Sequence, residues 1–580
     1  MKLKPIIAYI ISVCSVYGYN YSGQTLKDID FYGKDLSNSD FSNSRIEESV
    51  GFNVVTSLDY SDFTSAEFYS QLPTTLYGGN TGRVIRGVKF INTKFYKEQS
   101  LYIDCDGVNF NGADFSNATK LKGNYSLSIG GTNSLVKLNN VSFENVNFSN
   151  SQLLFYNCSL TNCSFNNANI SGASIYLHKT SFTGKDIIVQ SKNYKNKDLN
   201  SITFQGGILN DTDFSGFNLK NISLLNSQIK NSNFDGADLS SAVFCNDYYS
   251  DGNDFTGSSF VGADFTNANI SLSNFSYTNL KDAILSGANL GGVDFTGANI
   301  RGADLTSTVS NGFTEAQLKQ TMSFQMGDLR GVMFDYNNIS KWDLSGQKLQ
   351  HASFFATRIT NVNFTGADLR GAEMSATAGS PIYKNTIMVD GTIKNFSMIS
   401  EEDTLKIHKY KPLDENGIMI SAKVSEADAS ISGGAKLTLE QGAFFEVANG
   451  KTLTVASDGL IQIDTDLSGS TIFNVNSSSG LVFEDGAILT VNIVDNIITS
   501  DAYTFAVISF EDDSRIAGLN NFVKDETLFL TVNGKKFNGA WNYAVKGNDL
   551  SISINVPEPA TYAAIFGALA LAFAAYRRRK

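Results

Sequence analysis

In the middle of this chain a large apolar residue returns at every fifth position. One run is Leu199, Phe204, Leu209, Phe214, Leu219, Leu224, Ile229, Phe234, Leu239, Phe244. A second is Phe255, Phe260, Phe265, Ile270, Phe275, Leu280, Leu285, Leu290, Phe295, Ile300, Leu305. A third is Phe324, Leu329, Phe334, Ile339, Leu344, Leu349, Phe354, Ile359, Phe364, Leu369, Met374. With 42% hydrophobic residues, chance gives one such run of eleven odds on the order of one in ten thousand per starting position. Five is neither the 3.6-residue period of a helix nor the 2-residue period of a flat strand. Such a chain has to turn once in every repeat and stack the repeats on one another.

The residue two before each large one is usually small, as at Ala263, Ala268, Ala283, Ala288, Ala298 and Ala303. Between the two stands Asp or Asn, as at Asp264, Asn269, Asn289, Asp294, Asn299 and Asp304. Residues two apart in an extended segment share a face. The small and large residues therefore point inward and Asp or Asn points out. Asn, Asp, Gly and Ser supply the turn chemistry. Repetition closes a narrow all-β solenoid.

These Ala-(Asp/Asn)-(Leu/Phe) units resemble the pentapeptide-repeat family. The resemblance implies a right-handed quadrilateral β-helix with four repeats per coil, large residues stacked at its centre and small ones filling the corners. It spans roughly residues 27–377. About seventeen coils stacked at about 4.8 Å would make a rod near ~80 Å. Earlier repeats are looser: Phe31, Leu36, Phe41 and Ile46, then Leu58, Phe63 and Phe68, then Phe110 and Phe115. Phe155, Leu160, Phe165, Ile170 and Ile175 are more regular. Residues 69–89, 176–198 and 306–321 lack the period and are expected to loop out, with Thr314-Glu315-Ala316-Gln317 capping one short helical turn. Cys158 and Cys163 precede Leu160 and Phe165 by two, so both are expected as buried structural thiols at small inward positions.

Beyond Ala376 a period of eight replaces five. Leu437, Phe445, Leu453 and Ile461 are eight apart, as are Leu439, Val447, Val455 and Ile463, with Gly434, Gly442 and Gly450 at the turns. Leu481 and Leu489 continue the style. Each unit is a short alternating strand and a turn, and either a second β-solenoid or a β-meander satisfies it. The pattern resembles passenger-type β-repeats of bacterial surface proteins. Strands around Phe505, Phe529 and Trp541 would cap the end, which solenoids need in order to stay monomeric.

The two ends differ from the body. Met-Lys-Leu-Lys-Pro is followed by an apolar run from Ile6 to Val16, which resembles a secretory signal peptide cleaved near Gly18. At the other end Val556-Pro557-Glu558-Pro559 precedes an apolar stretch, residues 560–576, and then Arg577, Arg578, Arg579 and Lys580. This seventeen-residue stretch reaches the lower limit for a transmembrane helix, with the cations held on the cytoplasmic side. The order Pro-Glu-Pro, apolar helix and arginine cluster resembles the PEP-CTERM sorting signal of bacterial envelope proteins. That resemblance implies an exosortase-type membrane protease as partner, a membrane anchor before processing, and association with exopolysaccharide. The domains expected are thus a signal peptide (1–18), a pentapeptide-repeat β-helix (19–377), a linker with lead-in strands (378–433), an eight-residue β-repeat region (434–499), a β cap (500–555) and the sorting signal with its helix (556–580).

Chemistry is harder to find. Removing the six terminal cations takes the net charge from −12 to −18, which argues against binding nucleic acid through its phosphates. Among the five cysteines (Cys14, Cys105, Cys158, Cys163, Cys245) and three histidines (His178, His351, His408) no CxxC and no His-paired spacing occurs, so zinc is not expected. His351 falls at an outward repeat position. No GxSxG nucleophile elbow and no phosphate loop occurs. Gly206-Gly207-Ile208-Leu209-Asn210-Asp211 resembles a calcium-binding nonapeptide, but only once, and that motif works by repetition. Rows of outward Asp and Asn could hold calcium weakly at the surface. No catalytic residue, metal site or cofactor is assigned. The reading is an exported, non-enzymatic envelope or matrix protein. Two alternatives stand beside it. One is an interaction protein acting as an acidic mimic or glycan binder, since some acidic pentapeptide-repeat proteins resemble duplex DNA and inhibit DNA gyrase. The other is a β-helix enzyme acting on polysaccharide.

Overall fold

The computed structural model describes residues 18–555 apart from 52–53, 71–74, 77–83, 97–98, 102–103, 107, 116–126, 131–134, 181–182, 246–251, 376, 409–419, 426–427, 466–471, 477–478, 495–502, 511–514, 518–525, 538–539 and 547–548. The signal peptide expected over 1–18 lies outside them but for Gly18, and the expected sorting signal over 556–580 lies outside them entirely. The chain divides into two compact units, Met1–Met322 and Ser323–Lys580.

In the first unit parallel bridges join residues one coil apart. Asp254 pairs with Asn274 and Asn274 with Asp294, and Ser259, Asp264 and Asn269 begin three similar columns. Twenty residues therefore make a coil, five to each of four faces. The backbone satisfies itself between coils: Phe260 N donates to Asn279 O and Leu285 N to Asp304 O. The large residues fill the axis. Phe260, Phe265, Leu280 and Leu285 are fully buried, and so are the small Ala263, Ala283 and Ala288 beside them. The looser early repeats follow the same rule, since Phe31, Leu36, Phe41, Ile46, Leu58, Phe63 and Phe68 are all buried. There the rings form a column. Phe41 stacks on Phe63 at 4.6 Å, Phe63 on Phe90 at 5.0 Å, Phe90 on Phe110 at 5.0 Å, and Phe110 on Phe143 at 5.2 Å.

Early coils vary in length without losing this column. The bridges Asp40–Asp62, Asp62–Lys89, Lys89–Asn109 and Asn109–Ser142 span 22, 27, 20 and 33 residues. One face carries strands of three to five residues. Gln99–Leu101, Leu127–Gly130, Gln152–Tyr156, Ser174–His178, Thr203–Gln205 and Ser223–Leu225 pair in parallel as one sheet.

Two segments expected to loop out stay in the stack. Residues 176–198 hold the end of strand Ser174–His178 and two short helices, Gly184–Ile188 and Lys192–Lys195. Lys192 N donates to Ala168 O, and the Asn193 side chain accepts from Ile170 N at 2.8 Å. Ile187 and Ile188 are buried. The helices thus carry out the backbone bonding and core filling that two repeats would otherwise perform. Residues 306–321 behave alike. The expected cap forms, Gln317 N donating to Thr314 Oγ1 at the start of helix Glu315–Gln320. Gln317 Nε2 then reaches back to Leu290 O at 2.8 Å and Val293 O at 3.0 Å.

The second unit opens with the same twenty-residue coil, Asp328 pairing with Lys348 and Lys348 with Asp368. Two residues expected on its axis fall short. Phe324 lies in helix Met322–Gln325 and, like Met374, is only half-buried. Stacking continues as the repeat changes: Asp368 pairs with Ile387, Thr392 with Lys423 and Met398 with Ile431. Thereafter the coil has three faces. Strand Lys436–Leu439 pairs with Leu460–Thr465, Phe444–Val447 with Ile472–Val475, and Thr452–Val455 with Gly480–Phe483. The circuit is twenty-four residues, three eight-residue units, from Lys436 to Leu460, and twenty-eight from Phe444 to Ile472 and from Thr452 to Gly480, so these repeats form a second solenoid. Leu437, Leu439, Phe445, Val447, Leu453, Val455, Ile461 and Ile463 are fully buried. Gly442 turns the chain at φ +76°, a conformation that costs a residue with a Cβ about 1–2 kcal/mol. Antiparallel strands end the stack: Tyr503–Phe510 pairs with Asp549–Asn555, and that strand with Ala540–Lys546.

Leu285 is 0% exposed on the axis, whereas Asp264 lies on an outer face and its Oδ1 accepts from Thr266 N at 2.8 Å. Leu285→Lys should therefore cost at least about 3 kcal/mol, and Asp264→Lys no more than about 1 kcal/mol. Thermal melts compare them directly, and equal melting temperatures contradict the inward and outward assignment. Leu272 is 54% exposed at φ +59°. Leu272→Asn should stabilise the fold by up to about 1 kcal/mol, because Asn tolerates that conformation better.

Candidate functional site

The outer faces owe their Asp and Asn residues to turn formation. Asp254 Oδ1 accepts from Thr256 N, Asn274 from Ser276 N, Asp294 from Thr296 N and Asp304 from Thr306 N, at 2.8–3.1 Å. Each such side chain closes a local turn over its own repeat. Among the described residues no group of three or more His, Cys, Asp or Glu side chains is placed to hold a metal ion.

Among the described residues the buried charge lies in the second unit, where five-residue coils give way to eight-residue ones. Asp368 and Arg370 are there buried together, their side chains 0% and 1% exposed. Arg370 Nε and Nη2 grip the carboxylate at 2.9 and 2.7 Å, and Gln350 Nε2 donates to its Oδ2 at 2.6 Å. The remaining guanidinium hydrogens reach Ile420 O at 3.2 Å and His408 O at 3.3 Å. The pair thereby bonds a last five-residue coil to the chain that begins the three-faced stack. Alongside, Lys406 Nζ lies 2.8 Å and Lys348 Nζ 3.6 Å from Glu440 Oε1, with His408 Nδ1 3.4 Å from Oε2. Burial alone would raise the Glu440 carboxyl. The contacts from His408 and Lys406, with the charge of Lys348, outweigh burial and hold it well below the usual carboxylate range.

A groove of about 390 Å³ opens beside this seam, lined in part by Asn385, Glu402, Asp403, Lys406 and His408. Asp403 in it pairs with Lys384 and accepts from Ile399 N at 3.0 Å. Burial raises its carboxyl, but Lys384 and the Ile399 amide prevail and lower it. Both carboxylates are thus ionised and already paired with lysine, which leaves neither poised as a general acid.

Eight copies of the model described as pentapeptide repeats match the chain, over residues 208–244, 251–276, 273–309 and 338–375. This is a pentapeptide-repeat protein. Among solved structures it is similar to a pentapeptide-repeat protein of the Arabidopsis thaliana thylakoid lumen, at 38% identity over 18% of this chain and 67% of that one, with a TM-score of 0.16. It is also similar to HetL of the cyanobacterium Nostoc sp., at 18% identity over 52% and 96% of the two chains with a TM-score of 0.12. A third is QnrB1, at 17% identity over 38% and 89%, with a TM-score of 0.12. No curated protein matches.

Of the residues singled out in the sequence, Pro557, Glu558, Pro559, Arg577, Arg578, Arg579 and Lys580 lie outside the described residues, as does the 560–576 span. Among the described residues no helix is long and apolar enough to cross a membrane. Cys158 is buried, and burial, with a smaller push from Cys163, raises its thiol to about 12. Cys163 is only half-buried, its Sγ 3.4 Å from Leu138 O. His351 is exposed, whereas His408 is buried in the seam. The seam itself escaped sequence reasoning. Asp368-Leu369-Arg370 reads like any other repeat, and its burial comes from residues that follow the last repeat.

Removing one partner of the buried pair strands the other. Arg370→Met should destabilise by about 3–5 kcal/mol, and Asp368→Leu combined with Arg370→Met should recover most of it, as measured by urea denaturation. Folding depresses the Glu440 carboxyl, so its contribution is complete above the ordinary carboxylate range and fades as pH falls toward the depressed value. Glu440→Gln should lower the melting temperature at neutral pH and converge with the parent in strong acid.

Proposed function

We propose that this chain is an exported, non-enzymatic structural or interaction protein of the cell envelope or extracellular matrix, sorted by an exosortase-type membrane protease and associated with exopolysaccharide. The observation that carries the reading is the tail, Pro557-Glu558-Pro559 followed by a largely apolar stretch of seventeen residues and Arg577, Arg578, Arg579 and Lys580. Pro557 and Pro559 lack a backbone N–H and cannot continue a strand, which favours an extended Glu558 at the membrane surface. An apolar helix sets the depth of that segment, and the terminal cations stop it from sliding through. A membrane-embedded protease would then meet Pro-Glu-Pro at a fixed height.

The folded units suit display better than catalysis. Outward carboxylates such as Asp254, Asp294 and Asp304 are tied into turns, while Asp403 and Glu440 are paired with lysines. A second reading draws on the rows of acidic side chains along the coils, and on two of the similar proteins. HetL is involved in heterocyst differentiation regulation and QnrB1 is a plasmid-mediated fluoroquinolone resistance protein. On that reading the solenoid is an acidic interaction surface for another protein.

Intact-mass measurement of the protein from its native host tests the sorting mechanism. The mature form should lack residues near 559–580. Replacing Pro557, Glu558 and Pro559 by Ala should spare insertion and block processing, and replacing Arg577, Arg578 and Arg579 by Ala should weaken both retention and processing. A mature species still ending at Lys580 overturns exosortase processing. The purified chain should also show no hydrolysis of polysaccharides, esters or peptides. Turnover above blank that vanishes on changing one Asp or Glu would falsify the non-enzymatic reading.

A further inference from the structure

One face of the first unit widens and then narrows abruptly. Strands Gln152–Tyr156 and Ser174–His178 have five residues, whereas Thr203–Gln205 and Ser223–Leu225 below them have three. Register pairs Ser174 with Thr203 and Tyr176 with Gln205, and goes no further. Leu177 and His178 therefore overhang the next coil, which has already turned its corner at Gly206, φ +79°. A Cβ on Gly206 would sit 2.3 Å from Leu177 O, so only glycine fits beneath the ledge. An open groove of about 480 Å³ results, within the size range of small-ligand sites.

Aromatic residues line it that the core does not require. Leu153, Phe155, Ile175 and Leu177 already fill the inward positions of the two long strands. The outward Tyr156 and His178 stack with ring centroids 5.0 Å apart and planes 7° from parallel. On its other side Tyr156 pairs in register with Gly130. Tyr176 belongs to the same wall, and Gln205 and Asn226 add two amides. Lys179 Nζ stands 5.9 Å from the Tyr156 ring centroid. Among the described residues lining the groove none is a carboxylate, although the whole chain carries a net charge of −12.

We propose that this groove binds a pyranose ring of a polysaccharide. The C–H face of a sugar packs against the electron-rich face of an aromatic ring. Its hydroxyls can pair with the amides of Gln205 and Asn226, which both donate and accept. A purely apolar ring would leave those amides desolvated and unpaired. A nucleotide would stack as well, but its phosphates call for more cationic partners than one lysine. Lys179, which stands over the Tyr156 ring beside the groove, favours sugars bearing a uronate. The choice of polysaccharide as the source of the sugar rests on the envelope reading above, while the groove itself rests on the geometry of these coils.

The test titrates the full-length chain, purified in detergent, with cellohexaose, chitohexaose and a hexamer of mannuronic acid, read by calorimetry and saturation-transfer NMR. Saturable binding is expected, tightest for the uronate and weakened by salt. Tyr156→Ala and His178→Ala should each weaken it by roughly tenfold, the loss of about one stacking contact. Tyr336→Ala, which removes an exposed aromatic of the second unit, should leave it unchanged. Should Tyr156→Ala fail to fold, Gln205→Ala and Lys179→Ala serve instead, the latter abolishing the preference for uronate. Absence of saturable binding to all three hexamers overturns the proposal, as does binding that these variants leave intact. A chain processed normally in its host but without hexamer binding sinks the groove alone. Groove-dependent binding by a chain that is never processed sinks the sorting reading alone.

Discussion

The structure depends on backbone hydrogen bonds made from coil to coil. In the Asp254–Asn274–Asp294 column each residue meets its counterpart one circuit later, and each circuit is bonded mainly to its two neighbours. Once the backbone pairs this way, side chains of the same repeat position have to lie on top of one another. That is why phenylalanine recurs as a stack, from Phe41 through Phe63 and Phe90 to Phe110, and why a small residue must stand beside each ring. Stability then accrues by neighbouring contacts along the stack rather than from one central core.

This dependence explains what could be read from the sequence. Leu285, Ala283 and Asp264 declare their directions because an extended segment between two turns fixes inside and outside by alternation. The inference fails where the backbone is no longer extended. Phe324 keeps the five-residue count but lies in helix Met322–Gln325. Residues 183–198 lost the count yet remained in the stack, because helix caps and Asn193 supplied the bonds that repeats would have made. Periodicity reports side-chain direction, not whether a coil is complete.

The eight-residue repeats carried a different ambiguity. Leu437 and Phe445 show that each unit is a strand and a turn, but a solenoid and a meander require the same alternation. Only the pairing of Lys436–Leu439 with Leu460–Thr465, rather than with the adjacent strand, distinguishes them. Long-range register leaves no local mark. Asp368 and Arg370 were hidden for a related reason: a charged residue beside Leu369 is ordinary on an outer face, and its burial depends on His408 and Ile420 arriving from beyond the repeats. The Tyr156–His178 wall was present in the sequence as two alternating strands, yet the ledge depends on how their length compares with that of the strand below.

The corner at Gly206 has a wider meaning. A twenty-residue circuit with four faces gives every position an azimuth as well as a height. Adding or removing one whole circuit beneath the ledge would alter its height alone. One further five-residue repeat added to the coil path would instead turn the coils that follow by a quarter of a circle, whereas extra residues taken up within a coil, as between Asp62 and Lys89, leave the azimuth unchanged. Evolution of such a chain can therefore lengthen it in steps of twenty without disturbing what its faces display, while a single repeat added to the path re-aims them. The helices of residues 183–198 act as phase keepers in this sense: despite their irregular sequence, they return the chain to Asp198 directly above Asn218.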